Sequence, residues 1–320
     1  WVMKNWLPLV LGPALAMASA PTFNPNEFAR GMGTNAFAAL QADLDRPLFN
    51  RAISGRYPPG STIKPILGYG ALVSGRTTAT RITHCEGHFS LPGSTHRYRD
   101  WKPEGHGIVD LSEAIAQSCD VYFYELAQDM DIDLMHDFLV QFGLGATLGV
   151  EIPGEKAGIV PSRAWKRGSF RRRADQVWFP GETVIASIGQ GYMTATPLQL
   201  TGQRARPHLT LRDEDQLTGA STDYEKSLLP AVGHADEHAW VHIVGAMEDV
   251  LQSVRGSAYA VGRGAEYDIA GKSGTAQVFS VAQEEEYDEL ELDERLKDHA
   301  LFVAFAPVEA PRIAVAVIIE

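Results

Sequence analysis

Cysteine is nearly absent from this chain. Only Cys85 and Cys119 occur among 320 residues, so at most one disulfide can form. No apolar stretch reaches the ~18 residues that a bilayer span requires, so no spanning helix is expected. Positive charge is also in deficit, with 28 Lys and Arg against 40 Asp and Glu and a formal net charge of −12. Phosphate recognition needs clustered Lys and Arg, so this balance argues against a nucleic-acid partner. With 45% hydrophobic and 21% charged residues the chain can bury a large core, as one big domain or two interleaved subdomains. Two local charge runs depart from the average. The basic one, Arg163 to Arg173 with Lys166, Arg167, Arg171 and Arg172, reads as a solvated face, with anionic lipid or a protein partner as the other readings. The acidic one, Glu284 to Glu294, reads as an exposed loop and helix.

The most chemically informative feature is Ser61-Thr62-Ile63-Lys64, set directly behind the helix-breaking run Tyr57-Pro58-Pro59-Gly60. Two proline rings and a glycine stop the preceding element and let a helix start near Ser61, where residues three apart stack. Ser61 and Lys64 are therefore expected to touch. A serine hydroxyl is a poor nucleophile until a neighbouring base takes its proton, and Lys64 is the candidate base. A free lysine titrates near ~10.4, so holding it neutral at pH 7 costs about 4 kcal/mol, to be supplied by burial or a second cation. The apolar run Pro65-Ile66-Leu67 offers burial, and a second lysine lies far downstream. Alone the motif is weak, because the same spacing occurs on amphipathic helices as a solvated pair.

Two further motifs follow in order. Ser118-Cys119-Asp120 opens the helix-like stretch Val121 to Ala127, and Lys272-Ser273-Gly274-Thr275 follows the strand-like Tyr267-Asp268-Ile269-Ala270. The succession S-x-x-K, S-x-D, K-S-G-T is the serine acyl-transferase set of penicillin-binding proteins and β-lactamases. The segments around them, including Pro21 to Asn26, Arg56 to Ser61, Leu91 to Ser94, Tyr98 to Lys102, Gly189 to Pro197 and Ala270 to Phe279, resemble the transpeptidase domain of penicillin-binding protein 2. That is the elongation-specific class B family of rod-shaped Gram-negative bacteria. The resemblance runs from about Ala14 to Glu320. Asp120 stands where most members of the wider superfamily have Asn, and Ser273 where most have Thr; both variants fit the elongation branch.

The resemblance bears on the chain ends. Met3-Lys4 followed by Leu7 to Ala20 imitates a signal peptide with a small-residue Ala18-Ser19-Ala20 ending. Leu15 to Pro21 also matches the family's first core strand, and that reading is preferred. Residues 1–13 fit the family poorly and are read as a remnant of an upstream pedestal region or a junction, leaving 14–320 as the transpeptidase domain. Near Leu200 to Arg206 the family would carry a longer helix and loop. The family also has a single membrane anchor that this chain does not contain, so the resemblance implies a periplasmic domain of a protein anchored in the bacterial inner membrane.

The expected fold is α+β: an antiparallel sheet backed by helices plus a mostly helical lobe, as in the penicillin-binding transpeptidase and serine β-lactamase fold. Ala300 to Phe305 and Ile313 to Ile319 read as an antiparallel hairpin across a Pro307 to Pro311 turn, with Lys272 to Thr275 on the strand beside them. Leu111 to Ala127 and Trp240 to Val254 read as helices.

By resemblance, Ser61 attacks the carbonyl between two terminal D-alanines of a peptidoglycan stem peptide, with Lys64 as base, Ser118 as proton relay, and Asp120 positioning the substrate amide or Lys64. The N–H groups of Ser61 and Thr275 would form the oxyanion hole, where one donor can be worth ~3 kcal/mol. Lys272, Ser273, Gly274 and Thr275 would bind the terminal carboxylate. β-Lactam antibiotics would acylate Ser61 and stay. The implied partners are a membrane glycan polymerase and a periplasmic activator of the elongation machinery. Rival readings are a serine β-lactamase, a D,D-carboxypeptidase and a non-catalytic β-lactam sensor. Singly, Ser118 could be a helix N-cap, Asp120 a first-turn carboxylate and Lys272 a surface lysine.

Cys119 lies inside the S-x-D motif. If Ser118 and Asp120 face the groove, Cys119 faces the body behind it. Cys85, Asp100 and His106 lie nearby in sequence, a ligand set that suits a structural tetrahedral zinc bracing the Cys85 to His106 loop. A disulfide and unlinked thiols stay open as alternatives, and His84, His88 and His96 are spare candidate ligands. The resemblance favours zinc, since some elongation-type members carry a metal at these positions. No cofactor is required for the chemistry itself.

Overall fold

Alternating apolar and small residues near the chain's end build its sheet. The computed structural model describes residues 14–202, 207–209, 212–223, 236–277 and 296–320. In it, strands Ala270–Ala276, His299–Ala306 and Ile313–Ile319 pair antiparallel in that order, with Lys272 opposite Val303 and Val303 opposite Ala316. The Lys272 strand is the edge of this sheet, so one side of its backbone is free to face another element. Helix Glu237–Gln252 starts where the Asp236 side chain accepts the Ala239 N–H at 2.9 Å. Its Ala239, Ile243, Ala246, Met247, Val250 and Leu251 are buried, and this helical stripe packs on the Lys272 strand.

The centre of the helical lobe is helix Asp120–Met130, buried on almost every face through Val121, Tyr122, Phe123, Tyr124, Leu126, Ala127 and Met130. Burial of each large side chain contributes roughly 1.5–3 kcal/mol, so this helix is the most firmly held part of the lobe. Helix Lys64–Val73 and helix Ile132–Gln141 pack against each other, and both border the Asp120 helix. Two small ribbons shape the loop beside it. Thr83–Cys85 pairs with Gly107–Val109, placing Cys85 opposite Gly107, and His88–Phe89 pairs with Tyr98–Arg99. Residues distant in the loop are thereby returned to one spot.

The structure corrects several expectations. Leu111 to Ala127 is not one helix: Leu111–Ala116 and Asp120–Met130 are separate, because Ser118 takes a left-handed backbone with φ of 60°. The first helix is capped by Asp110, whose side chain accepts the Glu113 N–H at 2.9 Å. No strand forms over residues 14–21, and Leu15 is 74% exposed. Of its two long apolar side chains, Leu15 turns to solvent and Met17 packs on the small cluster of Ile53, Leu148, Val150 and Leu198. Lys166 is no part of a solvated basic face either. It is buried, ion-paired with Glu182 and bonded to the Val177 carbonyl at 2.6 Å. The remnant at 1–13, the acidic run 284–294 and residues 203–206 lie outside the described residues. Among the described residues, no helix is long and apolar enough to cross a membrane.

Candidate active site

Pro58, Pro59 and Gly60 do end the preceding chain, but what they start is a 3₁₀ turn, Gly60–Ile63, that passes into the α-helix at Lys64. Gly60 is needed there. Its φ is +54°, its N–H donates to the Gly189 carbonyl at 3.0 Å, and a Cβ on it would lie 2.4 Å from the Thr275 carbonyl oxygen. The turn carrying Ser61 thus lies flush against the free edge of the Lys272 strand. Lys64 is fully buried, whereas Ser61 is partly exposed at the groove.

The Lys64 amine is held by the second motif. Its Nζ lies 2.7 Å from Asp120 Oδ1, 2.9 Å from the Ser118 carbonyl and 3.4 Å from Ser118 Oγ. Among the described residues Nζ makes no hydrogen bond to the Ser61 hydroxyl; the groups of the second motif hold it. A buried carboxylate and a buried carbonyl are stronger acceptors than a partly solvated hydroxyl, so they set where the amine sits. Ser118 gains its aim from the strained link between the two helices, where its own N–H donates to Ile115 O at 3.2 Å and that of Cys119 to Ala114 O at 2.9 Å. The other oxygen of Asp120 accepts the Trp101 N–H at 3.2 Å.

Lys272 is fully buried on its strand, and its Nζ donates to Ser273 O at 2.9 Å. Burial, and then the nearby Lys64 charge, push the Lys272 amine well below the usual lysine range. Thr275 is exposed, and its carbonyl accepts from Gln190 Nε2 at 3.0 Å on the side facing the Ser61 turn. The N–H and C=O of one strand residue point to the same side, so the Thr275 N–H faces the groove too. Gly274 passes over Thr62, where an added Cβ would sit 2.9 Å from Thr62 Cγ2. All three motifs therefore border one groove.

Behind it, one ligand atom each from Cys85, Asp100, His106 and Cys119 lie within 4.8 Å of one another. Cys85 and Cys119 are free thiols. Cys85 Sγ is 3.5 Å from Asp100 Oδ2 and from His106 Nδ1, and Asp100 Oδ1 is 3.5 Å from that same nitrogen. Burial pushes both thiols up, Cys119 the further. Burial would also raise Asp100, but His106 and the N–H groups of Lys102 and Val121 hold its carboxyl well below the usual range. Two thiols, an imidazole and a carboxylate in a closed, buried cluster fit a tetrahedral zinc. His84 instead lies exposed, 3.4 Å from Glu86, and His96 packs its ring edge on Tyr98.

The penicillin binding protein transpeptidase domain family matches residues 11–320. The chain belongs to this family. Among curated penicillin-binding relatives, the peptidoglycan D,D-transpeptidase MrdA of Acinetobacter baumannii is 43% identical across 97% of this chain and 46% of its own length. That of Escherichia coli K12 is 37% identical across 97% and 49%. The chain thus spans about half the length of the curated relatives it matches. Among solved structures, Pseudomonas aeruginosa PBP2 in complex with WCK 5153 superposes with a TM-score of 0.81 at 40% identity, covering 96% of this chain and 66% of that one. Helicobacter pylori PBP2 in complex with MreC gives 0.79 at 31%, covering 96% and 54%. The α+β penicillin-binding transpeptidase fold is the one expected from sequence.

Sequence reasoning missed three members of the site. Gly189 and Gln190 tie the Ser61 turn to Thr275, and Ser257 Oγ lies 2.7 Å from Ser273 Oγ. Gly189-Gln190 stood within a family-like segment but carried no motif of its own. Ser257 gave no signal at all, since a lone serine in a loop is commonplace.

Proposed function

We propose that this chain is the catalytic domain of a peptidoglycan D,D-transpeptidase that cross-links stem peptides through an acyl-enzyme on Ser61 during cell elongation. The observation that carries this reading is the joint placement of the Ser61 turn, the Lys64–Ser118–Asp120 contacts and the Lys272–Thr275 strand around one groove. The names and fold of the relatives support it.

Asp120 Oδ1 and the Ser118 carbonyl have no proton to give, so each takes an N–H from Lys64. Ser61 attacks the substrate carbonyl and its proton passes to Lys64, and Ser118 relays a proton onward to the leaving amine. The N–H groups of Ser61 and Thr275 receive the developing oxyanion. The substrate's terminal carboxylate meets Lys272, Ser273 and Thr275, and its negative charge offsets a buried cation whose acceptor among the described residues is the Ser273 carbonyl. An amine of a second stem peptide resolves the ester. A β-lactam follows the same first step and remains on Ser61.

Cys85, Asp100, His106 and Cys119 would hold a structural zinc. Four protein ligands of this kind would suit a structural ion, which would neutralise the thiolates. These residues brace the 85–106 loop against the Asp120 helix, and so keep Ser118 and Asp120 aimed. The proposed setting is the periplasm, as part of a protein anchored in the inner membrane. The Helicobacter pylori complex holds PBP2 with MreC, and a further solved relative is a peptidoglycan synthase complex that coordinates polymerization and crosslinking. A membrane glycan polymerase and a periplasmic activator are accordingly the proposed partners.

Intact-mass analysis after incubation with mecillinam or benzylpenicillin tests the reading. One long-lived adduct is expected on the parent and none on Ser61→Ala. Rapid turnover of nitrocefin without a lasting adduct would replace it by a β-lactamase.

A further inference from the structure

Lys166, on the short helix Arg163–Ser169, is 3% exposed and belongs to none of the three motifs. Its ammonium donates to the Val177 carbonyl at 2.6 Å and pairs with Glu182 Oε1, and the ring centres of Trp178, Phe179 and Tyr192 lie 5.5, 5.4 and 5.5 Å from it. The same Glu182 oxygen accepts the Tyr192 hydroxyl at 3.1 Å, and the other accepts the Phe179 N–H at 2.8 Å. Taking a Lys–Glu pair out of water roughly offsets its own attraction, and apolar side chains of similar volume hold a fold about as well. Stability alone therefore gives no reason for this pair. What it supplies is direction, because charge-assisted hydrogen bonds fix where the Tyr192 hydroxyl must sit.

Tyr192 lies in the middle of a strap, residues 189–195, that clamps the nucleophile turn. At one end the Gly189 carbonyl accepts the Gly60 N–H at 3.0 Å, and at the other Ala195 exchanges two hydrogen bonds with Tyr57, at 2.9 and 2.8 Å. Both ends of Tyr57-Pro58-Pro59-Gly60, the run that leads into Ser61, are thereby held. Gln190 of the same strap donates to the Thr275 carbonyl at 3.0 Å. An added Cβ on Gly189 would lie 2.2 Å from the Gly60 carbonyl oxygen, so the two backbones pack directly on each other.

The strap and the buried pair share one helix. Helix Pro180–Ala186 carries Glu182 in its first turn, and just past its end the Gly189 and Gln190 N–H groups donate to the Ala186 and Ile185 carbonyls at 3.0 and 3.2 Å. Tyr192 then returns the chain to Glu182. Ser61 and Thr275 are thus spaced by a strap whose two ends touch the groove and whose middle is pinned on Lys166 and Glu182.

We infer that Lys166, acting through Glu182 and Tyr192, is a positioning residue for acyl transfer: the pinned strap sets the distance between the Ser61 turn and the Thr275 strand, and with it the two oxyanion donors. Misplaced donors weaken the transition state, where charge develops, more than the initial complex. This rests on the transpeptidase reading but fails separately from it. Absence of any penicillin adduct on the parent ends that reading, whereas the positioning role is read from how fast the adduct forms.

The test is stopped-flow acylation by benzylpenicillin, which separates the dissociation constant of the initial complex from the acylation rate constant. Tyr192→Phe keeps the ring and its packing on Trp165, Phe170 and Trp178 and removes only the hydroxyl link to Glu182. Its rate constant should fall roughly fivefold, with the dissociation constant and Tm nearly unchanged. Lys166→Met combined with Glu182→Leu replaces the pair by apolar side chains; its urea midpoint should match the parent's while the rate constant falls roughly tenfold. A parent-like rate constant in Tyr192→Phe overturns the proposal, whatever the double variant does. So does a slower rate matched by an equal loss of affinity, which would mark a general loosening of the groove.

Discussion

Asp100 Oδ2 accepts the backbone N–H of Asp120 at 2.8 Å, and Asp120 in turn pairs with the Lys64 amine at 2.7 Å. One loop carboxylate therefore caps the helix whose first side chain positions the candidate base. It also accepts from Val121 N–H at 3.1 Å, so two donors at the buried helix start depend on it. Cys119, the N-cap residue, makes no side-chain cap of its own. The closed cluster and the groove are thus joined through one residue.

Replacing Asp100 by Ala orphans both N–H groups. Each costs about 1–3 kcal/mol when buried without an acceptor, so a loss near ~3 kcal/mol is expected in urea unfolding. Penicillin acylation should slow at least tenfold, because the Asp120 helix is no longer fixed. Asp100→Asn keeps one oxygen acceptor and should recover part of the stability. Normal acylation in Asp100→Ala would separate the cap from the chemistry.

The zinc proposal predicts about one zinc per chain, by elemental analysis of protein purified without chelator. Titration with a strong chelator should lower Tm, and Cys119→Ser should remove most of the metal. Both cysteines reacting at once with a thiol reagent in fresh native protein, together with no zinc, would end the idea. The thiols are fully buried, so slow reaction alone is not the signal; its acceleration on metal removal is.

Ser257 holds Ser273 through a 2.7 Å contact between hydroxyls, and its own N–H is anchored on the Ala116 carbonyl at 3.0 Å. It links the helix end before Ser118 to the Lys272 strand. Ser257→Ala frees the Ser273 hydroxyl, and the expected cost is about 1 kcal/mol in substrate recognition, some fivefold in acylation efficiency. The melting point should barely move, since the pair is exposed. Ser257→Thr should restore the rate. A methyl ester of the same β-lactam should be insensitive to the change.

What was legible in the sequence was what repeats locally. The hairpin Ala300 to Ile319 was visible from its β-branched runs, and the Trp240 helix from its apolar period. The three motifs were visible because acyl transfer demands those residue types. What the sequence hid was conformation that local preference opposes. Ser118 in the left-handed region splits a stretch whose composition favours unbroken helix, and bonds from distant Lys64 and Asp100 to the Ser118 carbonyl and the Asp120 N–H help to hold that strain. The 3₁₀ turn at Ser61 was hidden likewise, because close approach to Thr275 decides it and that contact is distant in sequence. The Leu15 strand did not form: Leu15 turns to solvent, and Met17 packs on the core without strand pairing.

Lys272 gives the prediction with a pH signature. Its ammonium is fully buried, its acceptor among the described residues is the Ser273 carbonyl, and the charged groups acting on it are Lys64 and Asp120. Desolvation and Lys64 lower its folded value below the unfolded 10.5. Between those two values the unfolded chain binds the proton that the folded chain has lost, so stability rises with pH across that window. Below the window the full penalty for burying the charge is present. Lys272→Met removes the penalty while filling the same space, and should stabilise the fold by about 2 kcal/mol at the low-pH end of the window. The advantage should shrink as pH climbs toward 10.5. Urea unfolding of both proteins at several pH values measures it. The same variant should lose penicillin acylation by a hundredfold or more, since the carboxylate no longer meets a cation. A Lys272→Met protein that is less stable than the parent at every pH would show that this amine is held by contacts strong enough to outweigh its desolvation.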